Sequence, residues 1–188
     1  MNNTTQAVLV MDMTNDSIMP EARAVDLRLK MVPQAVKFLD WARKSGRPVL
    51  HVDSARRATD KWFLKYWEFA NKIFSLGQQP IPSLLDETDA VVHKRRYSGF
   101  FESDLDLTLR EMGVQSVIII GYSTSLAVMT TAFDAWQNGY ETTVLSDLTI
   151  AHAWGGRSVE DNQQWSLDAI KAFAMARIAT SDELIAYG

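Results

Sequence analysis

Between Gln115 and Ala135 the chain reads QSVIIIGYSTSLAVMTTAFDA, an apolar run that stops at a small polar turn and resumes at helical spacing near Leu126. In Ser116–Ile120 apolar side chains follow one another instead of alternating with polar ones, so a strand there must be covered on both faces. A parallel sheet layered between helices meets that condition. The rest of the chain keeps the same rhythm. Ala7–Met11, Pro48–Val52, Ala90–His93, Thr142–Leu145 and Ala176–Ala179 read as further strands. Val32–Lys44, Lys61–Phe74, Leu105–Met112, Leu126–Gln137 and Val159–Phe173 read as helices, with Asn138–Gly139 as a C-cap and Ser181 capping a last helical turn. Strands alternating with helices predict one α/β domain over residues 1–188.

Size and charge narrow the function classes. The 188 residues suffice for one sizeable core and are too few for two typical domains. A formal charge of −4 speaks against a broad nucleic-acid surface, because the basic clusters at Arg43–Lys44, Arg56–Arg57 and Lys94–Arg96 are offset elsewhere. No apolar run approaches a membrane span, and no basic segment followed by an apolar stretch opens the chain, so a cytoplasmic location is the default expectation. With no cysteine there is neither a disulfide nor a thiolate metal site.

Ligands of open α/β sheets bind beyond the C-terminal strand ends, near the reversal of strand order. Three residues are delivered to that edge: Asp12 after the first strand, Lys94 after the third, and Ala127 in the turn after the fourth. A carboxylate and an ammonium there favour each other's charged forms. A thiol at position 127 would have its pKa depressed by the cation and the helix start, with Asp12 to take its proton. Backbone N–H groups at Ser123 and Ala127 would receive an oxyanion. Each feature also has a plainer role: Asp12 as a turn or helix cap, Lys94 in a solvated loop edge, and the GYSTSL hydroxyls satisfied locally.

VLVMDMTNDSI, VVHKRRYSGF and GYSTSLAVMTTAFDAWQNGYETTVLSD, in that order, resemble the aspartate, lysine and cysteine motifs of the isochorismatase-like, or cysteine hydrolase, family. The resemblance implies a Rossmann-like three-layer sandwich with a six-stranded, mostly parallel sheet and helices on both faces. It implies Asp12 as general base, Lys94 as its supporting cation, Ala127 at the nucleophile's place and an oxyanion hole at Ser123 and Ala127. A cis peptide at Tyr122–Ser123 would belong to the same pattern. Thr14 and Ser17–Ile18 depart from the family's usual glutamine and phenylalanine. The nicotinamidase branch binds a metal through an aspartate and paired histidines, but here His51 and Asp53 have no further histidine before His93, so no metal or other cofactor is expected.

The alanine admits two accounts. In one, this is an amidase acting on a small amide or ureido C–N bond, inactivated by exchange of its cysteine. In the other, the protein naturally lacks the cysteine and performs isochorismatase-type vinyl-ether hydrolysis or binds without reacting. The first is preferred, because Asp12, Lys94 and the surrounding SLAVMTTAFDA are otherwise intact. Trp62, Trp67, Tyr122 and His152 are the substrate-pocket candidates. The aromatic run Phe63, Tyr66, Trp67, Phe69, Phe74 covers more than one helical face, consistent with core, pocket or subunit contacts. The expected partners are a small amide or ureido substrate and, through the resemblance, further copies of the chain, with neither nucleic acid nor membrane.

Overall fold

The computed structural model describes residues 5–17, 22–65 and 72–187, with side chains in the first helix described from residue 30 onward. Six strands, β1 (Thr5–Met11), β2 (Val49–Ser54), β3 (Ala90–Lys94), β4 (Val114–Tyr122), β5 (Glu141–Ile150) and β6 (Arg177–Ala179), form one sheet in the order β3-β2-β1-β4-β5-β6. Every pairing is parallel. The order reverses between β1 and β4, so the connections to either side leave a crevice at the C-terminal ends of those two strands.

Both faces of the central strands β1 and β4 are dry, as their unbroken apolar runs require. Leu9, Leu50, Val52 and Ile119 pack with α3 (Leu105–Glu111), α4 (Met129–Gln137) and α5 (Val159–Phe173). Val8, Val10, Ile118 and Ile120 point the other way, against α1 (Ala22–Lys44) and α6 (Ser181–Tyr187). The result is a three-layer α/β sandwich. Among the described residues no helix is long and apolar enough to cross a membrane.

Several elements differ from their sequence expectation. Helix α1 starts ten residues before Val32 and runs through Pro33. A proline inside a helix costs about 3 kcal/mol; burial of Met31, Ala35, Phe38, Leu39 and Ala42 on one face offsets it. The expected Lys61–Phe74 helix is helical only over Lys61–Leu64 (α2). Residues 66–71 lie outside the described residues. Beyond them the Ile73 N–H donates to the Arg56 carbonyl and Phe74 has φ 67°, both incompatible with a continuing helix. Strand β5 continues to Ile150 because its polar residues find partners: Asp147 accepts hydrogen bonds from Gln34, from the Ser181 N–H and from the Ser181 hydroxyl. Ser181 is therefore not the cap of α6. Thr180 and Glu183 form a reciprocal capping box instead.

Two features fix the sheet edge. Gly121 has φ 112°, and a Cβ there would lie 2.1 Å from the Met11 carbonyl oxygen. Only glycine lets β4 approach β1 this closely, one residue before Asp12. Gly121→Ala is expected to lower stability by about 2–4 kcal/mol in urea unfolding, through both the backbone conformation and the clash. On the α1 side, Asp89 accepts from Arg43 Nη2 (2.6 Å) and Nε (3.0 Å) and contacts His51 Nε2 at 3.2 Å. Burial pushes the Asp89 carboxyl up, but the bonds from His51 and Arg43 outweigh it and bring the carboxyl down to about 2. A depressed acid stabilises the fold above its unfolded value near 3.8 and loses that contribution as pH falls toward 2. About 2 kcal/mol should disappear over that window. The acid limb of a melting-temperature profile should be shallower in Asp89→Asn.

Candidate active site

Asp12 follows β1 with φ 47° and is only 7% exposed. Its Oδ1 accepts the Ser54 N–H at 2.7 Å, and its Oδ2 accepts Lys94 Nζ at 2.6 Å. Lys94 ends β3 and is 1% exposed. Its ammonium also donates to Ser54 Oγ (2.9 Å) and to the Arg96 carbonyl (3.1 Å). Three N–H bonds thus meet three acceptors, which is how a buried ammonium avoids the cost of lost hydration. Sheet register explains the convergence: β1, β2 and β3 are neighbours, and Ser54 pairs with Lys94.

Met11 pairs with Gly121, so Asp12 and Tyr122 leave adjacent strands side by side. The peptide Tyr122–Ser123 is cis. The chain then makes a π-helical turn, Thr124–Val128, that runs directly into α4. The Ser123 carbonyl accepts from the Leu126 and Val128 N–H groups, both at 3.1 Å. Thr124 Oγ1 donates to Gln163 Oε1 at 2.7 Å, fastening the turn to α5. Ala127 is 3% exposed and shares its apolar cluster with Met11, Val52 and Val92. The structure therefore brings a carboxylate–ammonium pair and a wound backbone turn to one strand edge, with a methyl group in that turn.

Residues 6–183 match the family model for the isochorismatase domain. The chain belongs to the isochorismatase family. It is 30% identical over 173 residues to the ureidoacrylate amidohydrolase RutB of Caulobacter segnis, covering 77% of this chain and 72% of that one. Among solved structures, an isochorismatase-like hydrolase from Alkaliphilus metalliredigens superposes with a TM-score of 0.84 at 30% identity, covering 97% of this chain and 98% of the other. N-carbamoylsarcosine amidase from Thermoplasma acidophilum does so with a TM-score of 0.82 at 27% identity, covering 95% and 98%.

The remaining candidates of this isochorismatase-family site separate clearly. Tyr122 and His152 meet: the hydroxyl is 2.8 Å from Nδ1 and the rings are 4.6 Å apart, edge to face. Trp62 is 70% exposed and faces away from the core. Trp67 lies outside the described residues. Among the described residues of this aromatic run, Phe63 is buried at 8% exposure, against Tyr97 with a centroid distance of 5.4 Å. His51 is committed to Asp89, and His93 is exposed on β3.

Two neighbours of Asp12 add to the site: Ser54, which sequence reasoning missed, and Asp53, which it weighed only as a metal ligand. Ser54 supplies both a backbone N–H to the carboxylate and a hydroxyl to the ammonium. Asp53 is fully buried, and neither of its carboxyl oxygens has a hydrogen-bond partner among the described residues. Burial, reinforced by the Asp12 charge and only partly opposed by Lys94, holds its proton well above the usual carboxylate range. The signal was present, since VLHVDS ends an apolar strand in two polar residues, but without register such a pair reads as the start of a turn.

Proposed function

We propose that this chain carries the apparatus of a cysteine-type amidase for small amide or ureido C–N bonds, and that Ala127 leaves it without the nucleophile. The observation that carries the reading is the buried Asp12–Lys94 pair, held at 2.6 Å on the strand edge where the turn bearing residue 127 begins. An ionic pair taken out of water is costly to maintain, and replacement by apolar side chains is often neutral or stabilising. A chain that retains one at the ligand edge has a use for its charge. Two similar proteins are named as an amidohydrolase of a ureido compound and an amidase of a carbamoyl compound, which supports that bond class.

With a thiol at position 127, Asp12 accepts the sulfur's proton while sulfur attacks the carbonyl carbon and the C=O electron pair moves to oxygen. N–H groups around Ser123 and residue 127 hold that oxyanion. Collapse breaks the C–N bond, and the proton on Asp12 passes to the departing nitrogen. Water then attacks the thioester or thiocarbamate, giving a proton to Asp12, which returns it to sulfur as the acyl or carbamoyl product leaves. Lys94 aims the Asp12 carboxylate through its 2.6 Å hydrogen bond. The Ala127 chain cannot form the covalent intermediate. In this reading Tyr122 and His152 border the substrate, and the chain self-associates.

Ala127→Cys, followed by a screen of small amides and ureas for ammonia or amine release, tests the reading. Turnover that is lost again on Asp12→Asn supports it. A folded Ala127→Cys protein silent across the panel overturns it, and product from isochorismate by the unaltered chain would replace it with vinyl-ether hydrolysis.

A further inference from the structure

The turn that carries residue 127 is of a rare kind. A π-helical turn such as Thr124–Val128 occurs mostly as a single turn, frequently at functional sites. What holds it from outside therefore matters to the site. The Ser125 hydroxyl stays local, 3.2 Å from that of Ser123, and the side chains of Leu126, Ala127 and Val128 offer no polar group. Among the described residues, Thr124 is the side chain of this turn that bonds to another element. Its hydroxyl, fully buried, donates to Gln163 Oε1 on α5 at 2.7 Å.

Gln163 is half-buried and uses both ends of its amide. The second end answers a need of β5. Val144 pairs with Ile119 and Thr149 with Gly121, so β5 spends five residues where β4 spends two, and carbonyls in the surplus lose their ladder partners. Gln163 Nε2 donates to the Thr149 carbonyl at 3.2 Å and to Thr149 Oγ1 at 3.3 Å, and it lies 3.5 Å from the Ser146 carbonyl. A carbonyl only accepts, so the amide nitrogen belongs on this side and the amide oxygen on the side of Thr124. Thr149 Oγ1 gives its own hydrogen to the Leu145 carbonyl at 2.9 Å. One planar group thus ties the 127 turn to the bulged strand beside it, at the pairing that precedes Tyr122 by one residue. Asn162, next to it, donates to the His152 and Trp154 carbonyls at 2.8 and 3.3 Å, so this stretch of α5 lies against the same sheet edge.

We propose that Gln163 is a positioning residue of the hydrolase site: by holding Thr124 against β5, it fixes where the group at position 127 stands relative to Asp12 and the oxyanion-binding N–H groups. The inference rests on the hydrolase reading above and extends the site beyond the Asp12–Lys94 pair. Gln163 acts through the turn and not on the substrate, so its loss should appear in kcat and in the reactivity of a thiol at 127, and not in KM. A displacement of about 1 Å at a reacting atom can cost about a hundredfold in rate.

Two readouts on the Ala127→Cys protein test it. The first needs no substrate: the rate at which iodoacetamide alkylates the thiol, followed by mass spectrometry against pH. Adding Gln163→Leu, which keeps the volume and loses both bonds, should slow alkylation at neutral pH at least about fivefold. The second is turnover of a small urea or amide, where Gln163→Leu should lower kcat about 10–100-fold and change KM less than about threefold. Gln163→Glu carries a pH signature. Ionised, its carboxylate accepts from Thr124 but has no hydrogen for the Thr149 carbonyl; protonated, it copies the amide. Its alkylation rate, relative to Ala127→Cys alone at the same pH, should recover as pH falls toward about 5. Ser166→Ala removes a fully buried hydroxyl whose bond, to the Asn162 carbonyl at 2.6 Å, stays within α5. It controls for general loosening of that helix and should leave both readouts within about twofold. Alkylation unchanged by Gln163→Leu, an effect confined to KM, or an equal loss in Ser166→Ala overturns the positioning role. Should Gln163→Leu fail to fold, a flat pH ratio for Gln163→Glu does the same. A thiol whose alkylation depends on Gln163, in a protein silent toward every amide and urea, would strike the hydrolase reading and leave the positioning role standing. Turnover indifferent to Gln163 would do the reverse.

Discussion

Ala127→Cys should raise ammonia or amine release from a small ureido compound by about a thousandfold or more over the unaltered chain. Removing a hydrolase nucleophile costs on the order of 10⁶ in kcat, so restoring one to a partly adapted site recovers a large share of that. The surroundings are favourable. Residue 127 sits in a wound turn whose neighbouring carbonyl, Ser123, is tied by two N–H bonds. One added sulfur on a 3% exposed methyl is a modest overpacking, about 1–3 kcal/mol at worst. Ala127→Ser is the informative control: it adds a heteroatom of similar size, but a poorer nucleophile at neutral pH, and should stay near background. Mass spectrometry of the Ala127→Cys protein with a slow substrate should show the acyl or carbamoyl adduct.

Lys94→Met should be the most damaging single change to the site. It removes the cation facing Asp12 and strands a carboxylate that is 7% exposed, together with the Ser54 hydroxyl and Arg96 carbonyl that Lys94 served. Breaking a buried pair by deleting one partner costs about 3–5 kcal/mol. The urea midpoint should fall accordingly at unchanged slope. Adding Asp12→Asn to Lys94→Met should return part of the loss, because no uncompensated charge then remains. The double-mutant cycle should give a coupling of about 1–3 kcal/mol, and a value near zero would mean that the two residues do not act as a pair. In the Ala127→Cys background, Lys94→Met should also abolish turnover, by a larger factor than its effect on substrate binding.

The layers of the fold were legible because the chain repeats one simple signal, apolar strands too continuous to face water on either side. The placement of Asp12 and Lys94 at neighbouring strand ends was legible for a related reason: each is a charge that closes an apolar run. What local pattern cannot carry is partnership between distant residues. The aromatic spacing after Lys61 suits a helix out to Phe74, yet a backbone bond from Ile73 to Arg56 and the φ of Phe74 exclude those last two residues from one. The fifth strand reads as ending at Leu145, because nothing local shows that α6 brings Asp147 the Ser181 N–H and hydroxyl. Ser54 carries only the mark of a polar strand end, and it takes the pairing of β2 with β3 to put its hydroxyl under Lys94.

The three acceptors around Lys94 have a consequence for how protons travel. An ammonium with every N–H already engaged has none to lend, so it serves the reaction as a stationary field. In the reaction proposed for the Ala127→Cys protein, all shuttling between sulfur, leaving nitrogen and water then falls to one carrier, the carboxyl of Asp12, which must be loaded and emptied twice in each cycle.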